Sequence, residues 1–299
     1  MTANVIKSGK IFYMDRSLGI WIDTDNALGS FSVDIDDAFA IAALAAAQRK
    51  ILGISSIFGN TSERNSHQNC KAFCKILNLK TSLFRGATSM WKPKSQASDA
   101  MANQDEGFRL LAIGPLTNLA SALKQNSQLP ETLHETVLIG TNLDLALPLS
   151  RFTDFNVWMD PWAAHRVFRS KLNVTIIPCN VARRLKLSAE HIAAQKNAPM
   201  RYLFKHSKRW FLRSKLFKGV NSVPLWDATA ALYLLYPELF VTELRTPVTS
   251  LLRGFGWSKK PGHHLKRVVT DFNVEAVREK LFSLLSIFSH SEFNETIHR

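Results

Sequence analysis

The stretch GIWIDTDNALGSFSVDIDDAFAIAALAAAQ, residues 19–48, decides how the rest of the chain is read. Gly19 to Asp25 is a largely apolar run of strand length that closes on carboxylates, and Asp36 to Gln48 is an alanine-rich run of helical length. A buried strand feeding a buried helix is the opening unit of an α/β sheet. The loop between them is where the chemistry concentrates. Asp23, Asp25, Asp34, Asp36 and Asp37 crowd it, and carboxylates brought together resist ionising unless a proton or a cation compensates. Hard oxygen donors on a loop are what Ca2+ or Mg2+ takes. Helix capping by Asp34 or Asp36 accounts for one or two of these acids but leaves Asp25, at the strand end, unexplained. The cluster therefore predicts a divalent cation site.

Outward from this unit, strand-length apolar runs keep alternating with helical patterns. Ile51–Phe58, Arg109–Ile113, Thr136–Ile139, Asn173–Pro178 and Lys266–Thr270 predict strands. Helices are predicted over Ser62–Leu77, from Thr117, from Pro161, over Asp227–Leu235 and over Val274–Leu285. Such alternation implies right-handed crossovers, hence an α/β fold with an open, mostly parallel sheet and helices on both faces. No linker rich in Pro, Gly or Ser divides residues 1–299 and no internal repeat is visible, so a single domain is expected. In sheets of this kind ligands bind beyond the carboxyl ends of the strands, where Asp25, Asn60, Thr117 and Asn118 fall.

Composition narrows the class further. With 46% hydrophobic and 21% charged residues, the 299-residue chain has the make-up of a globular enzyme and excludes disordered and fibrous classes. The longest apolar run, Ala38 to Ala47, is ten residues against the ~20 of a membrane helix. The start, MTANVIKSGK, lacks the apolar stretch of a secretory signal, and Cys70, Cys74 and Cys179 are too few for a disulfide framework, so a cytoplasmic protein is expected. The net charge of +14 suits an anionic partner. Much of it sits in residues 199–220, where Arg201, Lys205, Lys208, Arg209, Arg213, Lys215 and Lys218 alternate with aromatic and aliphatic residues. This predicts a basic amphipathic helix, either a solvated face with a buried aromatic side or a face for nucleic acid or another anionic surface.

Together these motifs resemble the calcium-dependent nucleoside hydrolases of the inosine- and uridine-preferring type. The resemblance rests on Asp23-Thr24-Asp25 and Asp36-Asp37-Ala38, with a longer loop between them than in the best-known members, and on Gly59-Asn60. IGPLTNLA (113–120), DFNVWMDPWAA (154–164), LWDATAALYLLYP (225–237) and VVTDFN (268–273) follow in the family's order. It implies the Rossmann-like nucleoside hydrolase fold and hydrolysis of the N-glycosidic bond of ribonucleosides to ribose and free base by a metal-activated water. It implies Ca2+ held by Asp25, Asp37, the carbonyl of Thr117 and Asp227, with Asp25 also the base that takes the proton of the water. Asp36, Asn60, Asp154 and Asn156 would then hold the ribose. A homodimer or homotetramer, and a position near the site entrance for residues 199–220, are further implications.

Several positions depart from the family pattern. The residue before the late aspartate, often histidine, is Trp226, which has no transferable proton but can stack on a base. That points mildly to purine ribonucleosides, with Trp91 as a candidate second stacker. Asp154 stands where a glutamate is usual, Ile139-Gly140-Thr141 replaces Met-Gly-Gly, and a ribose-contacting asparagine falls near Pro148. A divergent member that binds a nucleoside-like ligand with little turnover is the alternative. A phosphohydrolase reading, from the likeness of Asp23-Thr24-Asp25 to the haloacid-dehalogenase nucleophile loop, leaves Thr117, Asp154–Asn156 and Trp226–Asp227 without a role.

Overall fold

The predicted strands form where the chain is mostly apolar and buried, as over Gly19–Thr24 and Ile51–Ser56, although Arg109, Glu135 and Lys266 are charged residues buried within three of them. The computed structural model describes residues 17–30, 33–143, 154–193, 197–250 and 254–288. The first half runs β1 (Gly19–Thr24), α1 (Asp37–Ala46), β2 (Ile51–Ser56), α2 (Glu63–Ile76), β3 (Ser82–Phe84), α3 (Gln96–Ala102), β4 (Phe108–Ala112), α4 (Thr117–Gln125), α5 (Leu129–Thr132) and β5 (Leu133–Ile139). After it come α6 (Phe155–Met159), α7 (Pro161–Phe168), β6 (Val174–Ile177), α8 (Cys179–Ala182), β7 (Lys186–Ser188), α9 (Ala189–Ala193) and α10 (Ala198–Lys218). The chain continues through β8 (Ser222–Pro224), α11 (Trp226–Leu235), β9 (Phe240–Ser250), β10 (Gly254–Ser258), β11 (Lys266–Phe272) and α12 (Val274–Ile287).

Nine strands form one sheet in the order β10-β9-β11-β6-β5-β4-β1-β2-β3, and β7 pairs with β8 apart from it. All pairings from β3 across to β11 are parallel, whereas β11–β9 and β9–β10 are antiparallel. This antiparallel edge was not predicted. β9 carries Glu243, Arg245 and Pro247 in a half-exposed strand, so it lacks the continuous apolar run that marks the buried parallel strands. Short β3, β7 and β8 have three residues each, too few for a periodic signal.

The two faces of the sheet carry separate apolar layers. One gathers Phe39, Phe73, Leu232 and Leu281 from α1, α2, α11 and α12. The other gathers Met101, Leu119, Val167 and Phe168 from α3, α4 and α7, with Trp257 of β10. α1 is apolar almost all round and correspondingly buried, because it lies between the sheet and the rest of its layer. β1 is buried along its whole length between β2 and β4. The chain passes from β1 to β2 and β3 on one side, then returns to lay β4 on the other. The carboxyl ends of β1 and β4 therefore flank the switch point at which open α/β sheets bind ligands.

The basic segment is the helix α10, begun by Asn197, whose side chain caps Met200 N–H at 2.9 Å, and ended by Gly219 in the left-handed region at φ +66°. Trp210 and Phe211 are buried beneath it, but Leu212, Leu216 and Phe217 are exposed, so its apolar side is only partly covered. No helix among the described residues is long and apolar enough to cross a membrane.

Candidate active site

The acids read from the sequence do different jobs at the carboxyl ends of β1 and β4. Asp23 faces inward, where its Oδ1 accepts from Ser55 Oγ at 2.5 Å and Asn118 Nδ2 at 2.8 Å. Asp25 lies past the strand end with its Oδ2 accepting the Asn60 N–H at 2.6 Å. Gly59 makes that approach possible, since a Cβ there would stand 2.0 Å from the same oxygen. Gly114 has the corresponding part after β4, where a Cβ would meet Ile57 Cγ2 at 2.7 Å and the Asp25 nitrogen at 3.1 Å. Asp37 accepts from Thr24 Oγ1, which ties the first residue of α1 back to β1.

Capping does not explain Asp36. It occupies the N-cap position of α1 without a side-chain cap, and its Oδ2 instead accepts the backbone N–H of Asp227 at 2.8 Å. That bond joins residues 191 positions apart and draws the start of α11 onto the start of α1. Asp154 does cap a helix: its Oδ1 accepts Val157 N–H at 3.2 Å while Oδ2 accepts the Thr141 N–H. Asn156, the second residue of α6, donates to the Ile113 carbonyl at 3.2 Å. Asp34 accepts from Trp210 Nε1 at 3.0 Å, so α10 is fastened to the acidic loop.

Burial dominates the electrostatics. It raises Asp25 well above the usual carboxylate range, and the neighbouring Asp37 raises it further. Asp36 moves the same way, by burial and then by Asp37 and Asp34. Asp227 is also raised, by burial first and then by the charges of Asp36, Asp37, Asp25 and Asp34. Asp37 is raised to about 6 by burial, against the opposing hydrogen bond from Thr24. The mutual influence of Asp25, Asp36, Asp37 and Asp227 places the first strand's acids and the late helix's acid in one electrostatic cluster.

These groups fit a cation by one specific sign. Asp25 Oδ1 and Asp37 Oδ2 are buried with no hydrogen-bond partner, a costly state for carboxylate oxygens unless a positive charge or proton faces them. As the side chains stand, no group of three His, Cys, Asp or Glu among the described residues is drawn together as a finished metal site. Thr117 is not brought to this place. It is the first residue of α4, so its carbonyl points along that helix; its Oγ1 donates to Asp160 Oδ2 at 2.6 Å, and it lines a different recess from the one that Asp36 and Asp227 line. Ile113, just past the end of β4, does line the acids' hollow, and its carbonyl accepts from Asn156 Nδ2 at 3.2 Å.

That hollow has a volume of about 120 Å3. Its walls include Asp36, Asn60, Asp154, Asn156, Trp226 and Asp227, all of them named from the sequence. Asp25 and Asp37 are fully buried and do not line it; Asn60 links Asp25 to its wall. Sequence reasoning missed Phe155, Ile139 and Cys179, which also face it. Phe155 lies inside the DFN motif, and only its 44% exposure singles it out from a packing residue. Trp91 is 78% exposed and is not part of the wall. The position near Pro148 lies outside the described residues.

A model of the inosine-uridine preferring nucleoside hydrolases matches residues 20–279. The chain belongs to the nucleoside hydrolase family. Uridine nucleosidase 1 of Arabidopsis thaliana is 27% identical over 259 residues, 73% of this chain and 74% of its own length. The non-specific ribonucleoside hydrolase RihC of Salmonella paratyphi B is 28% identical over 270 residues, 77% of this chain and 82% of its own. In fold, this nucleoside hydrolase resembles the purine-preferring ribonucleoside hydrolase from Gardnerella vaginalis. The TM-score is 0.77 at 18% identity, covering 91% of this chain and 99% of the other.

Proposed function

We propose that this nucleoside hydrolase cleaves the N-glycosidic bond of ribonucleosides, with purines mildly favoured, to ribose and free base. The observation that carries the proposal is the joining of Asp25, Asp36, Asp37 and Asp227, from opposite parts of the chain, in one acidic cluster, of which Asp36 and Asp227 share the wall of a small hollow with Trp226 while Asp25 and Asp37 lie buried behind it. At about 120 Å3 the hollow is below the ~300–1,000 Å3 of drug-sized clefts and suits the sugar end of a ligand. Asp36, Asn60, Asp154 and Asn156, which line it, would hold the sugar hydroxyls, and the base would then lie against Trp226.

Asp25, Asp37 and Asp227 would hold Ca2+, with the Ile113 carbonyl in place of that of Thr117 as the backbone donor at the strand end. When bound, the ion would take ribose hydroxyls among its oxygen ligands and acidify the attacking water. Asp25 would take the water's proton on Oδ1, the oxygen that has no hydrogen-bond partner, since Oδ2 accepts the Asn60 N–H. Water oxygen forms the new bond to the anomeric carbon as the bond to the base nitrogen breaks, and the electron pair leaves with the base. The surrounding carboxylates favour the positive charge that develops on the sugar. Three free cysteines fit a reducing cytoplasm, and assembly into dimers or tetramers is carried over from the family likeness.

Trp226 has no transferable proton, which favours one second reading: a protein that binds nucleosides with little turnover. Release of free base and ribose from inosine, adenosine and uridine with Ca2+ present decides between the two; tight binding without release overturns the hydrolase reading. Within that assay, Trp226→Ala lowers purine nucleoside turnover about tenfold, the worth of one base–aromatic stack of ~1–3 kcal/mol. An aryl riboside with an activated leaving group loses much less. Equal losses on both substrates contradict the stacking role.

A further inference from the structure

A second recess, larger than the hydrolytic hollow at about 530 Å3, lies between α4 and α7 and has no part in the proposed reaction. Its floor is made of small residues, Thr117, Ala120 and Ser121 of α4 and Ala163 of α7, which leave the space between the helices open. Its walls carry Trp162, Arg166 and Arg169 at successive turns along and just past α7, and Lys124 in the last turn of α4. From Trp162 to Arg169 the helical rise spans ~10 Å.

The recess is strongly cationic. None of the ion pairs among the described residues involves Lys124, Arg166 or Arg169. Its one carboxylate, Asp160, is already engaged, accepting Thr117 Oγ1 at 2.6 Å and Ala163 N–H at 2.9 Å. His165 Nδ1 is buried in this wall with no hydrogen-bond partner, and the Trp162 indole is 58% exposed. Cations near the carboxyl ends of helices offset the helix dipole, which accounts for their sign. It does not account for an open recess with a bare indole at one end and uncompensated cations at the other.

We propose that this recess binds a nucleoside diphosphate, its base stacked on Trp162 and its phosphates held by Arg166, Arg169 and Lys124. Guanidinium forks match phosphate oxygens, and an indole face takes any base. The volume falls within the ~300–1,000 Å3 of small-molecule sites. The order of groups along the groove distinguishes this ligand from a bare phosphate, which has no use for Trp162, and from a nucleoside, which has no use for the cations.

The test is calorimetric titration of the full chain with ADP, adenosine and inorganic pyrophosphate in low salt. ADP binds more tightly than either fragment, and its affinity falls steeply as salt is added. Arg166→Glu with Arg169→Glu weakens ADP at least tenfold, whereas Asp36→Ala, in the hydrolytic hollow, leaves ADP binding intact. Trp162→Ala, which changes no charge, weakens ADP severalfold and leaves pyrophosphate unaffected. The proposal is overturned by absence of ADP binding at millimolar concentration, by binding indifferent to the charge reversal in a variant with an unchanged melting curve, or by binding lost in Asp36→Ala. Pyrophosphate binding as tightly as ADP overturns the assignment of the base to Trp162.

Discussion

Asp25→Ala lowers kcat for nucleoside hydrolysis by ~10^3-fold or more, because a positioned general base alone contributes ~10^2–10^4 and this residue is also proposed to hold the cation. Its two oxygens have separate tasks: Oδ2 is spent on the Asn60 N–H, and Oδ1 is left facing the acidic cluster with nothing to bind. Asp25→Asn is the sharper variant. It keeps the shape and an oxygen for Asn60 but removes the charge and the proton acceptor, so it loses nearly as much activity as the alanine variant while its melting temperature stays close to the parent. Steady-state release of base from inosine, at saturating Ca2+, reads both. An Asp25→Asn enzyme within tenfold of the parent removes Asp25 from the reaction.

The second large effect is on stability. Asp37 and Asp154 are held near 6 and Asp23 near 7 in the folded chain, in each case chiefly by burial, against ~3.9 for an unfolded aspartate. Between about pH 4 and pH 7 the folded state therefore keeps protons that the unfolded state has released. The contribution of these three groups to the slope of stability with pH is negative across that window: in metal-free protein it is fully present below about pH 4 and is lost as the pH rises through 6 to 7. The proposed calcium would bind the ionised cluster and so act in the opposite sense. At one hundred times its dissociation constant it adds ~2.7 kcal/mol. Melting curves in chelator fall from pH 5 to pH 7.5, and those in excess Ca2+ fall much less. Curves that coincide with and without the ion at pH 7.5 would contradict a cation in this cluster.

Most of the parallel core was legible because burial on both faces leaves continuous apolar runs, as in GIWI before Asp23 and ILGIS at β2. The antiparallel edge was not, since Glu243, Arg245 and Pro247 interrupt the pattern of β9 and only its pairing to β11 holds it in the sheet. At the site, Asp36, Asn60, Asp154, Asn156, Trp226 and Asp227 were all legible, each sitting in a short motif at a strand end or helix start. Thr117 was misplaced by a matter of direction. It lies four positions after Ile113, and a carbonyl inside a helix points along the helix, whereas Ile113 stands at the strand end and accepts Asn156. Phe155 and Cys179 carry no motif of their own, and only the closing of α6 and α8 around the hollow brings them to it.

The central claim is that acids of the first strand and of the late helix share one cation. Calorimetric titration of the metal-free chain with Ca2+ tests it most directly, run beside Asp227→Asn, which preserves the backbone N–H bonded to Asp36. One calcium per chain, bound at least tenfold more weakly after the substitution, is the expected result. Calcium binding that is unchanged in Asp227→Asn, or absent from the parent, would contradict it.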